Sequence, residues 1–173
     1  MLNKKDGLAA LFPTLVAVLE DYGRRLVETY REGLEDGGHI ATGNLYRSVE
    51  SEVSLDGRSF VVEFVMPDYG EYLETGTSAH FPPVSEILKW VRAKRIAPRR
   101  DQQGRLPTEK QLAYLIARKI SEDGTPRTGI WEKSNELTAR DFNKRIDEAI
   151  SKDLGDNLAE ILQELNRKPG RRR

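Results

Sequence analysis

The sequence predicts a mixed α+β fold: an antiparallel β-sheet covered by a long N-terminal helix, with extra helices inserted and a long C-terminal helix. Three observations predict it. Apolar residues recur at three- and four-residue steps near both ends of the chain, the spacing of one helical face. Between them, apolar and polar residues alternate with period two on either side of Asp56-Gly57, the mark of a hairpin with one buried face. Further on, Thr108 and Gln111 stand at the spacing of a capping box in front of another apolar stripe.

The elements follow in order. Leu8, Leu11, Phe12, Leu15, Leu19, Tyr22, Leu26 and Tyr30 form the first stripe, which predicts a helix from Pro13 to Glu35 with the proline in its first turn. Gly37-Gly38 ends it by supplying unrestricted backbone. Val49, Ser51, Val53 and Leu55 then pair with Phe60, Val62, Phe64 and Met66 across a tight type I′ turn. Pro67-Asp68 breaks the second strand, and Tyr69 to Glu74 reads as a further short extended segment. Pro82-Pro83 opens a helix to Arg95 with Val84, Ile87, Leu88 and Val91 as its apolar face. Ala97 to Pro107 is an exposed loop. The capped helix that follows carries Leu112, Leu115, Ile116 and Ile120 and stops at Asp123-Gly124. A last helix is expected from Trp131 or Ser134 to Asn166, with Leu137, Phe142, Ile146, Ile150, Leu154, Leu158, Ile161, Leu162 and Leu165 in its stripe. Gly155 weakens that helix by roughly 1 kcal/mol relative to alanine and marks a bend.

Composition narrows the function. The 173 residues suit one domain with helical extensions, and 28 basic side chains balance 28 acidic ones. A balanced chain has no global field to draw it to nucleic acid or anionic lipid. No window approaches the roughly 20 apolar residues of a membrane span, so no membrane partner is expected. Cysteine is absent, which removes disulfides and cysteine-based zinc sites. His39 and His80 stand in different loops, far apart in sequence, and the carboxylates show no metal-ligand spacing. No Gly-x-Ser-x-Gly nucleophile turn, phosphate-binding loop or dinucleotide fingerprint occurs. Catalytic, metal and cofactor residues are therefore all expected to be none, and the chain is read as no enzyme.

Charge is nonetheless clustered. Arg92, Lys94, Arg95, Arg99, Arg100 and Arg105 gather in and before the loop, and Arg167, Lys168, Arg171, Arg172 and Arg173 form a tail. Such clusters are either solvated surface or phosphate contacts without base specificity. Tyr69, Tyr72 and Phe81 are not interleaved with a basic strand face, so packing is the simpler reading. Trp90 and Trp131 read as core or interface anchors.

Two segments resemble a known family. Ala41-Thr42-Gly43-Asn44-Leu45-Tyr46-Arg47-Ser48-Val49 is similar to the Thr-Gly-x-Leu-x-x-Ser-Ile lead-in to the sheet of tail-completion, or head–tail joining, proteins of tailed bacteriophages. Tyr69-Gly70-Glu71-Tyr72-Leu73-Glu74-Thr75-Gly76-Thr77 resembles that family's Tyr-Ala-x-Tyr-x-Glu-x-Gly-Thr segment. A weaker third match is Gly129 to Ser134, which stands where the family's Pro-Phe-Leu-x-Pro-Ala-like stretch leads into its last helix but lacks the prolines. Order and spacing match from about Pro13 to Ser134, with two helices inserted between about Pro83 and Asp123.

The resemblance implies an α+β domain over residues 1–134, with its helical insertion at 83–123, followed by a C-terminal helix and basic tail over 135–173. It implies a virion neck subunit, made in the host cytoplasm, that forms a six- or twelve-fold ring between portal and tail and lines or seals the DNA passage. Implied partners are further copies of the chain, portal or adaptor and tail proteins, and packaged DNA without sequence preference. The Tyr69 to Thr77 segment, with Tyr69, Tyr72 and Glu74, would support the ring interface. Glu74 would accept backbone donors beside its turn or meet an arginine of a neighbouring subunit. Charge clustering assigns Arg95, Arg99, Arg100, Arg105, Arg171, Arg172 and Arg173 to subunit, portal or DNA contact. The alternative is a nucleic-acid-binding regulatory protein whose basic loop and tail are a phosphate footprint.

Overall fold

A computed structural model of the chain describes residues 9–100 and 102–166. Arg171, Arg172 and Arg173 lie outside the described residues. The fold is the predicted α+β mixture, with helices α1 (Pro13–Asp36), α2 (Asn44–Ser48), α3 (Asp68–Thr75), α4 (Val84–Ala93), α5 (Glu109–Asp123), α6 (Ile130–Ala139) and α7 (Phe142–Asn166). A two-stranded antiparallel sheet joins β1 (Glu50–Asp56) to β2 (Ser59–Val65). The chain divides into two compact units: the described residues of Met1–Thr29, Glu50–Phe64 and Asn135–Arg173 form one, and Tyr30–Val49 with Val65–Ser134 form the other.

In the first unit, α1 covers the hairpin as its stripe predicts. Leu15 and Leu19 of α1 and Ala149 of α7 are buried, with Phe12, Val53, Phe60, Val62, Phe142, Ile146 and Ile150 packed around them. Tyr22 stacks on Phe142 at 4.0 Å between ring centroids, and its hydroxyl donates to Asn135 Oδ1 at 2.6 Å. The start of α1 is capped from a distance: Asp153 of α7 accepts from the Thr14 N–H at 3.1 Å and the Leu15 N–H at 2.9 Å. These are backbone donors that no residue within the helix can satisfy, and they sit at its positive end. Burial pushes the Asp153 carboxyl up, but the hydrogen bonds from Thr14 and Leu15 outweigh it and hold the group below its ordinary value.

In the second unit, Tyr30 and Leu34 on the last turns of α1 are fully buried, together with Val49 and Val91. Each such apolar side chain contributes roughly 1.5–3 kcal/mol relative to exposure. The helix ends in a Schellman motif: His39 N–H donates to Leu34 O and Gly38 N–H to Glu35 O, both at 2.8 Å, with Gly38 at φ 62°. The capping box forms as read, Thr108 N–H to Gln111 Oε1 at 2.8 Å and Gln111 N–H to Thr108 Oγ1 at 3.3 Å. Helices α4 and α5 pack on each other.

Four expectations are corrected. Tyr69 to Glu74 is helical, not extended: Tyr69 and Leu73, like Gly70 and Glu74, are four residues apart and fall on one helical side. The last helix is two, because α6 stops at Ala139 and α7 starts at Phe142. On α5 the buried residues are Ala113 and Ala117 while Leu115 is exposed, since close helix packing selects small side chains. The hairpin turn is not type I′, because Gly57 has φ 60° but Arg58 does not share a positive φ.

Candidate functional site

The two segments that carry the family resemblance come together in the second unit. Thr42 and Gly43 lead into α2, a single turn and not the start of a strand. Arg31 of α1 holds that turn in place: its Nε donates to Tyr46 O at 2.8 Å, its Nη2 to Val49 O at 3.0 Å, and its guanidinium lies 5.5 Å from the Tyr46 ring centroid. Helix α3 carries the second segment. Asn44 Nδ2 donates to the Tyr69 hydroxyl at 3.0 Å, which ties α3 to α2.

Glu74 is the buried anchor of α3. Its Oε2 accepts from the Trp131 N–H at 2.9 Å, in the first turn of α6. A carboxylate is favoured there by the helix dipole. The Tyr30 phenol is pushed up, first by burial and then by its hydrogen bond and proximity to Glu74. Glu74 thus accepts a backbone donor, one of the two roles expected of it.

Beyond α3 the chain is clamped. Thr77 and Thr125 exchange backbone hydrogen bonds at 3.1 Å in an isolated antiparallel bridge, and their hydroxyls meet at 2.9 Å. Thr128 donates from both its N–H and its hydroxyl to Leu73 O. A Cβ on Gly76 would stand 2.4 Å from Thr125 O, and one on Gly124 would stand 2.0 Å from Thr77 O. Both glycines also have φ above 70°, so this crossing admits no side chain at either position. Gly76 therefore lets the chain leave the end of α3 and meet the 124–128 segment.

An open cavity of about 700 Å³ lies against these elements. Its wall includes Leu45 and Tyr46 of α2, Tyr69, Tyr72 and Leu73 of α3, Ile87 and Trp90 of α4, and Ile116 and Ile120 of α5. Tyr72 and Trp90 are exposed there without an apolar cover. His39 and His80 line the same space, a convergence their sequence separation does not signal. Among the described residues no group of three or more histidine, cysteine, aspartate or glutamate side chains could hold a metal ion.

The basic residues stand elsewhere. Arg95 is the left-handed residue of a second Schellman motif, at φ 53°, closed by Ile96 N–H to Val91 O at 3.0 Å. Arg99, Arg100 and Arg105 are exposed on the following loop. Arg100 Nη1 folds back to Gly104 O at 2.7 Å and Arg105 Nη2 to Gln103 Oε1 at 3.1 Å. None of these four lines the cavity, whose basic lining residue is Lys94. The structure thus brings Tyr69 and Tyr72 together with Trp90 and leaves the arginines as a separate surface.

No helix among the described residues is long and apolar enough to cross a membrane. Compared with protein-family models, curated proteins and solved structures, the chain matches none.

Proposed function

We propose that this chain is a structural subunit of a tailed-phage neck, which forms a ring joining the head to the tail around the DNA passage. The observation that carries the reading is the meeting of its two family-like segments: α2 and α3 are bonded through Asn44 and Tyr69 and together wall an apolar cavity with exposed Tyr72 and Trp90. Rigid elements that present uncovered aromatic side chains suit protein–protein contact, where tyrosine and tryptophan supply large contact area at low entropic cost. The subunit works by shape complementarity, and no reaction is assigned to it. Arg99, Arg100 and Arg105 give the ring a basic surface for portal, neighbour or packaged DNA.

The test is particle assembly with Arg99, Arg100 and Arg105 all changed to Glu, alongside negative-stain images of the wild-type chain with its portal. Rings of wild type on the portal, and loss of assembly or DNA retention in the variant, are the expected results. Normal particles from the variant overturn the role of the loop. A wild-type chain that makes no ring, yet binds DNA tightly and in a salt-sensitive way, favours the regulator instead.

A further inference from the structure

The hairpin has one covered face and one bare face. Ser51 and Val62 lie against Gly23 of α1, and Val53 and Phe60 pack on the cluster of Leu15 and Leu19. Side chains alternate along a strand, so Glu50, Glu52 and Asp56 of β1 and Glu63 of β2 point the other way, and all four are exposed. The strands are seven residues each and joined through Gly57 and Arg58, a register that sets Glu52 opposite Glu63. Like charges directly opposite on a sheet destabilise it. Among the described residues no ion pair or side-chain hydrogen bond reaches any of these four carboxylates. The hairpin's one basic residue, Arg58, stands in its turn.

The segment after α4 has the opposite character. From Lys94 to Arg105 it holds five basic residues and one acidic residue, Asp101. Arg99 and Arg100 are exposed and, among the described residues, have no ion-pair partner; Arg100 gives one donor to Gly104 O at 2.7 Å. Elsewhere exposed charges pair within the chain, as Arg92 does with Glu109, Arg118 with Glu122 and Lys152 with Asp156. The hairpin face and the loop are thus two uncompensated surfaces of opposite sign, one in each unit.

We propose that the bare face of the hairpin, through Glu52 and Glu63, takes the loop of a second copy of this chain, through Arg99 and Arg100. Self-pairing is disfavoured for both surfaces, because it would set carboxylates on carboxylates or guanidinium groups on guanidinium groups. DNA can take the loop but is repelled by the hairpin, whereas a second copy satisfies both surfaces at once. Exposed ion pairs add little affinity singly, so the contact fixes partner and register. It joins two different surfaces, so each copy leaves one of each free for the next, and the contacts close into a ring. The proposal rests on the ring reading and names the neighbouring subunit as the partner of the loop.

The test is charge reversal in the full chain, read by light scattering alone and with its portal, each variant being checked for native helical circular dichroism. Glu52→Lys with Glu63→Lys, and separately Arg99→Glu with Arg100→Glu, are each expected to lower the assembled fraction about tenfold or more. All four changes in one chain, or an equal mixture of the two double variants, are expected to restore it, because acidic and basic pairs meet again. Binding of the loop to portal or DNA gives no such rescue. As a second measure, Glu63→Gln added to the Arg99→Glu, Arg100→Glu chain removes the like-charge pair and is expected to raise its melting temperature by about 1–3 °C. A fall there would show that Glu63 already has a partner and overturns the proposal. Double variants that each assemble like wild type, or a combined chain and a mixture that both stay monomeric, overturn the contact and leave the ring reading standing. A wild-type chain monomeric both alone and on its portal overturns both.

Discussion

Along α7, Phe142, Ile146, Ala149 and Ile150 pack with α1 and the hairpin, whereas Leu154, Leu158, Ile161, Leu162 and Leu165 face solvent. Both halves have the same helical periodicity, and Asp153 stands between them, fixed to the first turn of α1. Beyond it, Asn157 still reaches the Leu11 carbonyl at 2.7 Å, but the apolar side chains have left the core. The lesson is that periodicity states which residues want covering and says nothing of which molecule covers them. The first half of α7 belongs to the fold. The second half is available for assembly.

Substitutions separate the two halves, and the largest effect is expected at their boundary. Asp153→Ala removes the acceptor of two backbone N–H groups and should cost about 2–3 kcal/mol in chemical denaturation. Asp153→Asn adds a pH signature. The folded carboxyl lies below its ordinary value, so its contribution is full above about pH 4 and is lost as pH falls through the lower folded value. The stability gap between wild type and Asp153→Asn should therefore narrow on acidification; a gap that widens would contradict the cap.

In the packed half, Ala149→Leu overfills a site only 3% exposed and should destabilise by about 1–3 kcal/mol. A neutral result would mean that α7 is loosely held and that the contrast between its halves is false. At the C-terminal end of α4, Arg95→Gly should stabilise the chain by about 0.5–1 kcal/mol in thermal melts, because glycine adopts the left-handed backbone without a Cβ penalty. In the exposed half, Leu158→Ala should change the stability of the monomer by less than about 0.5 kcal/mol. A loss of several kcal/mol there would show that Leu158 is already buried within the monomer.

Much of this fold was legible because it depends on local chemistry. The capping box at Thr108 and Gln111, the glycine stop of α1 and the two strands each follow from neighbours in sequence. The break between α6 and α7 also left a trace, since Leu137 and Phe142 are five residues apart and a step of five leaves the stripe. Tyr69 to Glu74 misled because Tyr72 and Glu74 also fit a period of two, and the four-residue pairs become visible only once Leu73 and Glu74 are seen to turn inward. The burial of Ala113 and Ala117 over Leu115 depends on how closely α4 approaches, which hydrophobicity does not encode.

The candidate site was less legible. Tyr69, Tyr72 and Glu74 were found through the motif, yet Glu74 is an internal anchor and Trp90 joins the tyrosines only through the fold. Arg31, which pins α2, gave no sign in sequence, because a basic residue on an amphipathic helix reads as solvated surface.

The central claim is that the chain works as an assembled ring, and the native mass of the purified full-length protein at physiological salt, alone and with its portal, tests it most directly. The account predicts a closed six- or twelve-fold assembly of the 19.7 kDa chain. A mass that stays at one chain under both conditions would contradict it.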